Sequence, residues 1–167
     1  ILNEAHDYAQ IFINGNLIGK IDRSNGEKQL LLPSIKEGSR LTILIEAMGR
    51  INFGQAIKDY KGITNDVLLK YQRNENEYDV NLKNWNITCI PDDYQTAINA
   101  LNNKSKSSTL NTKAGYYRGY FNIKKIGDTF LNFEEFGKGQ VYVNGHTLGR
   151  IWSVGPQQTL FIPGCWL

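Results

Sequence analysis

The sequence predicts an all-β chain built from two copies of one β-sandwich unit. Short apolar runs alternate with polar residues, and Gly, Asn and Asp punctuate them. Alternation puts apolar side chains on one face of a pleated strand, and those punctuating residues tolerate the positive φ that tight turns demand. Residues 10–33 also return as residues 140–163 at a constant offset of 130 positions, without a gap. Self-similarity at a fixed offset means one structural unit used twice.

The repeat is specific. Gln10-Ile11-Phe12-Ile13-Asn14-Gly15 answers Gln140-Val141-Tyr142-Val143-Asn144-Gly145, Gly19-Lys20-Ile21 answers Gly149-Arg150-Ile151, and Leu30-Leu31-Leu32-Pro33 answers Leu160-Phe161-Ile162-Pro163. In the first copy, strands are expected at 9–13 and 17–21 around the Asn14-Gly15 turn, then at 29–32 and 41–47 on either side of Lys36-Glu37-Gly38. Strands at 67–71 and 85–90 are expected to flank a polar stretch, 72–83, that reads as an exposed hairpin tip. One short helix follows, with Asp92 or Asp93 as its cap and Tyr94, Ile98 and Leu101 at helical spacing. The Asn-, Lys- and Ser-rich stretch 99–113 reads as a linker. Strands resume at 116–123, 129–133, 140–143, 148–152 and 159–162. The expected division is a first unit at 1–91, a helix and linker at 92–114, and a second unit at 115–167. The first unit is expected to lack opening strands and the second a closing one. Unpaired sandwich edges of that kind invite a strand-swapped dimer.

Composition narrows the classes of function. With 41% hydrophobic and 21% charged residues, the chain has the make-up of a globular protein. Its charge of +3 is scattered rather than striped, which argues against nucleic acid as a partner. No apolar run suits a membrane helix, and no secretory leader stands before the strand-like start. Cys89 and Cys165 lack metal-ligand spacing and are expected to be partly buried free thiols rather than a disulfide. No Asp-rich loop makes a calcium cage, so neither a metal nor a cofactor is expected.

Catalytic sets are not expected either. Glu134 and Glu135 are neighbours that point to opposite strand faces, and Asp92 and Asp93 suit a helix cap. His6 precedes Asp7 as a base precedes an orienting carboxylate, yet no nucleophile elbow accompanies them. Gly137-Lys138-Gly139 leads into a strand, so it lacks the helix N-terminus of a phosphate loop.

Two segments are richer than a bare sandwich requires. Arg50, Asn52 and Phe53 lie in one glycine-flanked stretch, and Asn144, His146, Arg150 and Trp152 lie in another. Arg, an amide and an aromatic ring suit a sugar, whose flat face stacks while polar groups read hydroxyls. They suit a protein interface equally well. Packing or an interface is the expected role, ahead of an independent sugar site.

Several motifs in order carry a resemblance. They are Glu4-Ala5-His6-Asp7-Tyr8-Ala9-Gln10, Glu46-Ala47-Met48-Gly49-Arg50-Ile51-Asn52-Phe53-Gly54, Lys61-Gly62-Ile63, Gly115-Tyr116-Tyr117-Arg118-Gly119, Gly127-Asp128-Thr129-Phe130-Leu131, Lys138 to Gly145, Leu148-Gly149-Arg150-Ile151-Trp152 and Gly155 to Leu160. Together they resemble the C-terminal region of glycoside hydrolase family 35 β-galactosidases. The resemblance implies two jelly-roll units of the galactose-binding-like type, packed against a (β/α)₈ barrel that removes terminal β-galactose with retention, using two glutamates. No catalytic glutamate carries over to this sequence. The resemblance implies an accessory role, with the barrel as partner and the 50–53 loop approaching it. Phe53 would form a wall on the aglycone side of the active site. An independent carbohydrate-binding module for galactosides, using Trp152, Arg150 and Asn144, is the alternative. Family members work outside the cytoplasm, and Asn86-Ile87-Thr88 and Asn103-Lys104-Ser105 fit the glycosylation pattern.

Overall fold

A computed structural model of the chain describes residues 1–103, 115–155 and 158–167. Most of the expected linker and the second glycosylation pattern fall outside the described residues. The chain forms two compact units, Ile1–Ile87 and Thr88–Leu167, both all-β sandwich in character, and among the described residues the second holds one short α-helix.

The first unit centres on an antiparallel sheet. Strand β2 (Tyr8–Ile13) lies between β3 (Asn16–Asp22) and β4 (Leu41–Glu46). Its alternation sends Ala9 and Ile11 inward, where they meet Leu2, Ala5, Ile21 and Val67, with Leu30, Leu32, Leu41, Ile43, Ile45 and Leu82 packed around them. A two-residue ladder joins β1 (Ala5–His6) to β5 (Gly62–Ile63), and β6 (Leu68–Arg73) pairs with β7 (Asn76–Asn81).

In the second unit, Asp93 caps α1 (Tyr94–Asn102) by accepting the Thr96 N–H at 2.9 Å. Tyr94 of this helix packs on Tyr142, with ring centroids 5.7 Å apart. The remaining strands are β8 (Thr129–Asn132), β9 (Lys138–Val143), β10 (His146–Trp152) and β11 (Thr159–Ile162). β9 pairs with β10, and β8 with β11. Val143, Ile151, Leu160 and Ile162 are buried.

The two copies agree rung for rung. Ala9 faces Ile21 and Ile11 faces Gly19, while Gly139 faces Ile151 and Val141 faces Gly149, so each pair recurs 130 positions later. The ladder slips between Leu17 and Gly19 in one copy and between Thr147 and Gly149 in the other, a β-bulge at the same place. Asn14 and Gly15 have φ of 50° and 82°, and Asn144 and Gly145 have 47° and 86°, the geometry of a type I′ turn. The shared bulge glycine serves two ends. A Cβ on Gly19 would lie 2.7 Å from a Leu30 methyl, whereas Gly149 stands at φ 129° with open space around it.

Three expected strands are not formed. Residues 29–32 are not paired as a strand, although residues 159–162, their counterparts, form β11. β11 owes its ladder to β8, and by the offset Asn132 answers Leu2; the Leu2 N–H donates to the Lys28 carbonyl at 2.8 Å, a first rung that no strand among the described residues extends. Leu31 nevertheless faces outward like its counterpart Phe161 in β11, at 93% and 46% exposure, while Leu30 and Leu32 pack on the core. Residues 85–90 and 116–123 also run without regular strand structure, with Ile87 and Tyr120 almost fully exposed. β-propensity does not make a strand without a neighbour to bond.

The stretch 72–83 is more than a tip. Only Asn74 and Glu75, at φ 49° and 66°, form the turn, and β7 is the return strand that residues 85–90 were expected to supply. Tyr71 stacks on Tyr78 at 5.1 Å, while Lys70 pairs with Asp79 at 2.9 Å. Alternating Glu77, Tyr78, Asp79 and Val80 look polar as a run but are two-faced as a strand. Cys89 and Cys165 are free, and both are exposed rather than partly buried.

Candidate functional site

Residues 48–60 leave β4 and return to β5 as one irregular loop, with every residue from 49 to 58 exposed. The loop carries Arg50, Asn52 and Phe53, and Phe53 is 87% exposed beside the exposed Ile51, Ile57 and Tyr60.

Beneath its two ends lies a compact set of charges. Asp7 sits between β1 and β2, where its own N–H bonds the Glu46 carbonyl and its carbonyl accepts the Arg23 N–H. Its Oδ2 accepts from the Met48 N–H at 2.9 Å and from Lys61 Nζ at 2.7 Å. Arg23 Nη1 bridges Asp7 Oδ1 at 2.8 Å and Asp59 Oδ1 at 2.9 Å, and Lys61 Nζ reaches Asp59 Oδ2 at 2.6 Å. Two carboxylates and two cations thus alternate around a ring, each acid touching both bases. The peptide bond between His6 and Asp7 is cis. His6 borders the set, with Nδ1 at 2.5 Å from the Tyr60 carbonyl oxygen and Nε2 at 2.7 Å from Glu4 Oε2. His6 also lines a shallow depression of about 260 Å³ with Lys58, Tyr60 and Thr64.

Burial pushes the Asp7 carboxyl up, but hydrogen bonds from Lys61, Arg23 and the Met48 N–H outweigh it and hold it below the usual carboxylate value. The Lys61 hydrogen bond, reinforced by Arg23, holds Asp59 down as well. Burial works against the Lys61 ammonium, yet its bonds to Asp59 and Asp7 raise it. The Asp7 bond raises Arg23. All four therefore stay charged near neutrality. Because both carboxyls sit lower in the folded state than in the unfolded chain, their contribution is complete above an unfolded value of about 4. It is lost as pH falls through the lower folded values. Thermal midpoints are accordingly expected to hold from pH 7 down to about pH 4 and then to fall. A midpoint unchanged down to pH 2 would contradict this assignment.

The second expected cluster is differently arranged. Asn144 Nδ2 donates to the Trp166 carbonyl at 2.6 Å, and the His146 ring stacks on Trp166 with centroids 4.4 Å apart and planes 6° from parallel. Arg150 lies 3.4 Å from Asp92, and Trp152 is half-buried. Three of these four side chains therefore have partners inside their own unit. Asp92 and Asp93 are divided between that ion pair and the helix cap, and Glu134 and Glu135 are exposed in the turn after β8.

Sequence reasoning missed the ring of charges, whose members lie at positions 7, 23, 59 and 61. One signal was there: the polar pair His6-Asp7 interrupts a strand-like run, and a carboxylate set among inward-facing apolar residues needs partners.

Residues 1–90 match the family described as "Beta-galactosidase, first all-beta domain", and residues 114–167 match "Beta-galactosidase, galactose-binding domain". The chain belongs to the β-galactosidases of glycoside hydrolase family 35. Among curated relatives, it is 35% identical to beta-galactosidase 1 of Dictyostelium discoideum over 96% of its own length. It is 35% identical to human beta-galactosidase-1-like protein 2 over 97%, and 34% identical to bovine beta-galactosidase over 97%. The chain spans only 26%, 24% and 26% of those three proteins, about a quarter of each. Among the described residues, no helix is long and apolar enough to cross a membrane.

Proposed function

We propose that the chain is an accessory part of a β-galactosidase, and that it turns the 48–60 loop toward a catalytic (β/α)₈ barrel lying in the rest of the protein. On this reading the barrel removes terminal β-galactose with retention, and none of this chain's residues takes part in bond breaking. Phe53 forms a wall on the aglycone side, with Arg50 and Asn52 beside it. The observation that carries this is the exposure of Phe53, at 87%, on a loop whose ends are tied down by partly buried charges. An aromatic ring held out in water has no role in the core of its own unit. Extracytoplasmic work goes with this reading.

Binding of galactosides by the second unit alone has less behind it. The family description names a fold type as much as a ligand, and Asn144, His146 and Arg150 already have intramolecular partners. Their part in this reading is to hold the framework.

The test is Phe53→Ala in the full-length enzyme, read on two substrates. An aromatic contact is worth about 0.5–1.5 kcal/mol, so kcat/KM toward a β-galactosyl disaccharide should fall by up to roughly tenfold. A galactoside with a very small leaving group should be hydrolysed as before. Unchanged kinetics toward the disaccharide would sink the reading.

A further inference from the structure

We infer that Asp7, Arg23, Asp59 and Lys61 act together as positioning residues for Phe53, by pinning both ends of the loop that carries it. The inference rests on the reading of Phe53 as an aglycone wall. Its basis is one atom: Asp7 Oδ2 accepts the Met48 N–H, where the loop leaves the sheet, and Lys61 Nζ, where the loop returns.

The rest of the ring keeps that atom in place. Lys61 also holds Asp59, the single acidic residue of the loop, at 2.6 Å. Arg23 spans both carboxylates from the β3 side at 2.8 and 2.9 Å. His6 adds a contact to the Tyr60 carbonyl. Between these anchors, no side chain from 49 to 58 is buried, so no packing inside the span competes with the anchors in setting its place. A loop without a core of its own takes its position from its ends. Charge makes these ends selective. Each carboxylate sits against two cations, so deleting one member leaves the others unbalanced and drives rearrangement. Lys61 is the most informative member, because it alone joins the two carboxylates from the returning end of the loop.

The experiment uses Lys61→Met in the full-length enzyme beside Phe53→Ala, with both substrates and with hydrogen exchange. A hydrogen bond to a charged group is worth enough to slow exchange roughly tenfold or more. In Lys61→Met, the amides of residues 48–60 should therefore exchange about tenfold faster while those of β2 keep their rates. Activity should fall on the disaccharide and hold on the small-leaving-group galactoside, as in Phe53→Ala. Equal losses on both substrates, or wild-type activity on the disaccharide, would overturn the positioning role. If Phe53→Ala itself has no effect, the aglycone reading fails, and the positioning inference fails with it whatever the exchange shows. If Phe53→Ala acts and Lys61→Met does not, only the positioning inference fails. Should Lys61→Met not fold, Arg23→Gln, at the open rim of the ring, takes its place: selective loss on the disaccharide supports the positioning role, and equal loss or none overturns it.

Discussion

Asp7→Ala is expected to cost the first unit about 3 kcal/mol of stability. Removing one partner of a buried ion pair costs about 3–5 kcal/mol, because the charge left behind is uncompensated. The lower end applies because the Arg23 side chain is 40% exposed and regains water, whereas Lys61 at 13% does not. Three donors lose an acceptor at once: Lys61 Nζ, Arg23 Nη1 and the Met48 N–H. Asp7→Asn keeps an oxygen for one of them and should cost less, about 1–2 kcal/mol. Urea unfolding of both variants decides the matter. An alanine variant as stable as the wild type would mean that the ring of charges contributes nothing to the fold.

Ile21→Ala should cost as much or more, about 3–4 kcal/mol. Ile21 is 2% exposed and belongs with Ala9 and Ile11 to the central cluster of the first unit, against which Leu30 packs. Truncation there loses the transfer energy of the removed carbons and leaves a cavity that a β-sheet cannot easily close. Leu31→Ala is the control. Leu31 lies in the same repeat and is equally apolar, but it is 93% exposed, so its loss should stay within about 0.5 kcal/mol. If the two variants lost the same stability, the face assignment of the first copy would be wrong.

What could be read from the chain was whatever local chemistry determines. Asn14-Gly15 and Asn144-Gly145 mark their hairpins because both residue types tolerate positive φ, and the Asp92-Asp93 pair marks the start of the helix, although only the structure tells that Asp93 is the cap and Asp92 the partner of Arg150. The repeat carried further than either, since its two hairpins share register and bulge. What stayed hidden depended on partners distant in sequence. Leu30 to Leu32 and Leu160 to Ile162 are near copies, yet only the second is a strand, because only it has β8 alongside. The ring was hidden for the same reason: Asp7 meets Lys61 across 54 positions, and no spacing rule reaches that far. Phe53 was visible as an aromatic among glycines, but nothing in its neighbours revealed what holds it.

The sharing of one Asp7 oxygen between the two ends of a loop separates two demands on the chain. Folding is answered by Asp7, Arg23, Asp59 and Lys61, while the surface shown to the outside is answered by the residues between Met48 and Asp59. On the proposed reading, substitutions inside that span should alter what is presented without disturbing where it is presented. Such an arrangement behaves as a socket with an exchangeable insert, in which selection for recognition and selection for stability act on different residues.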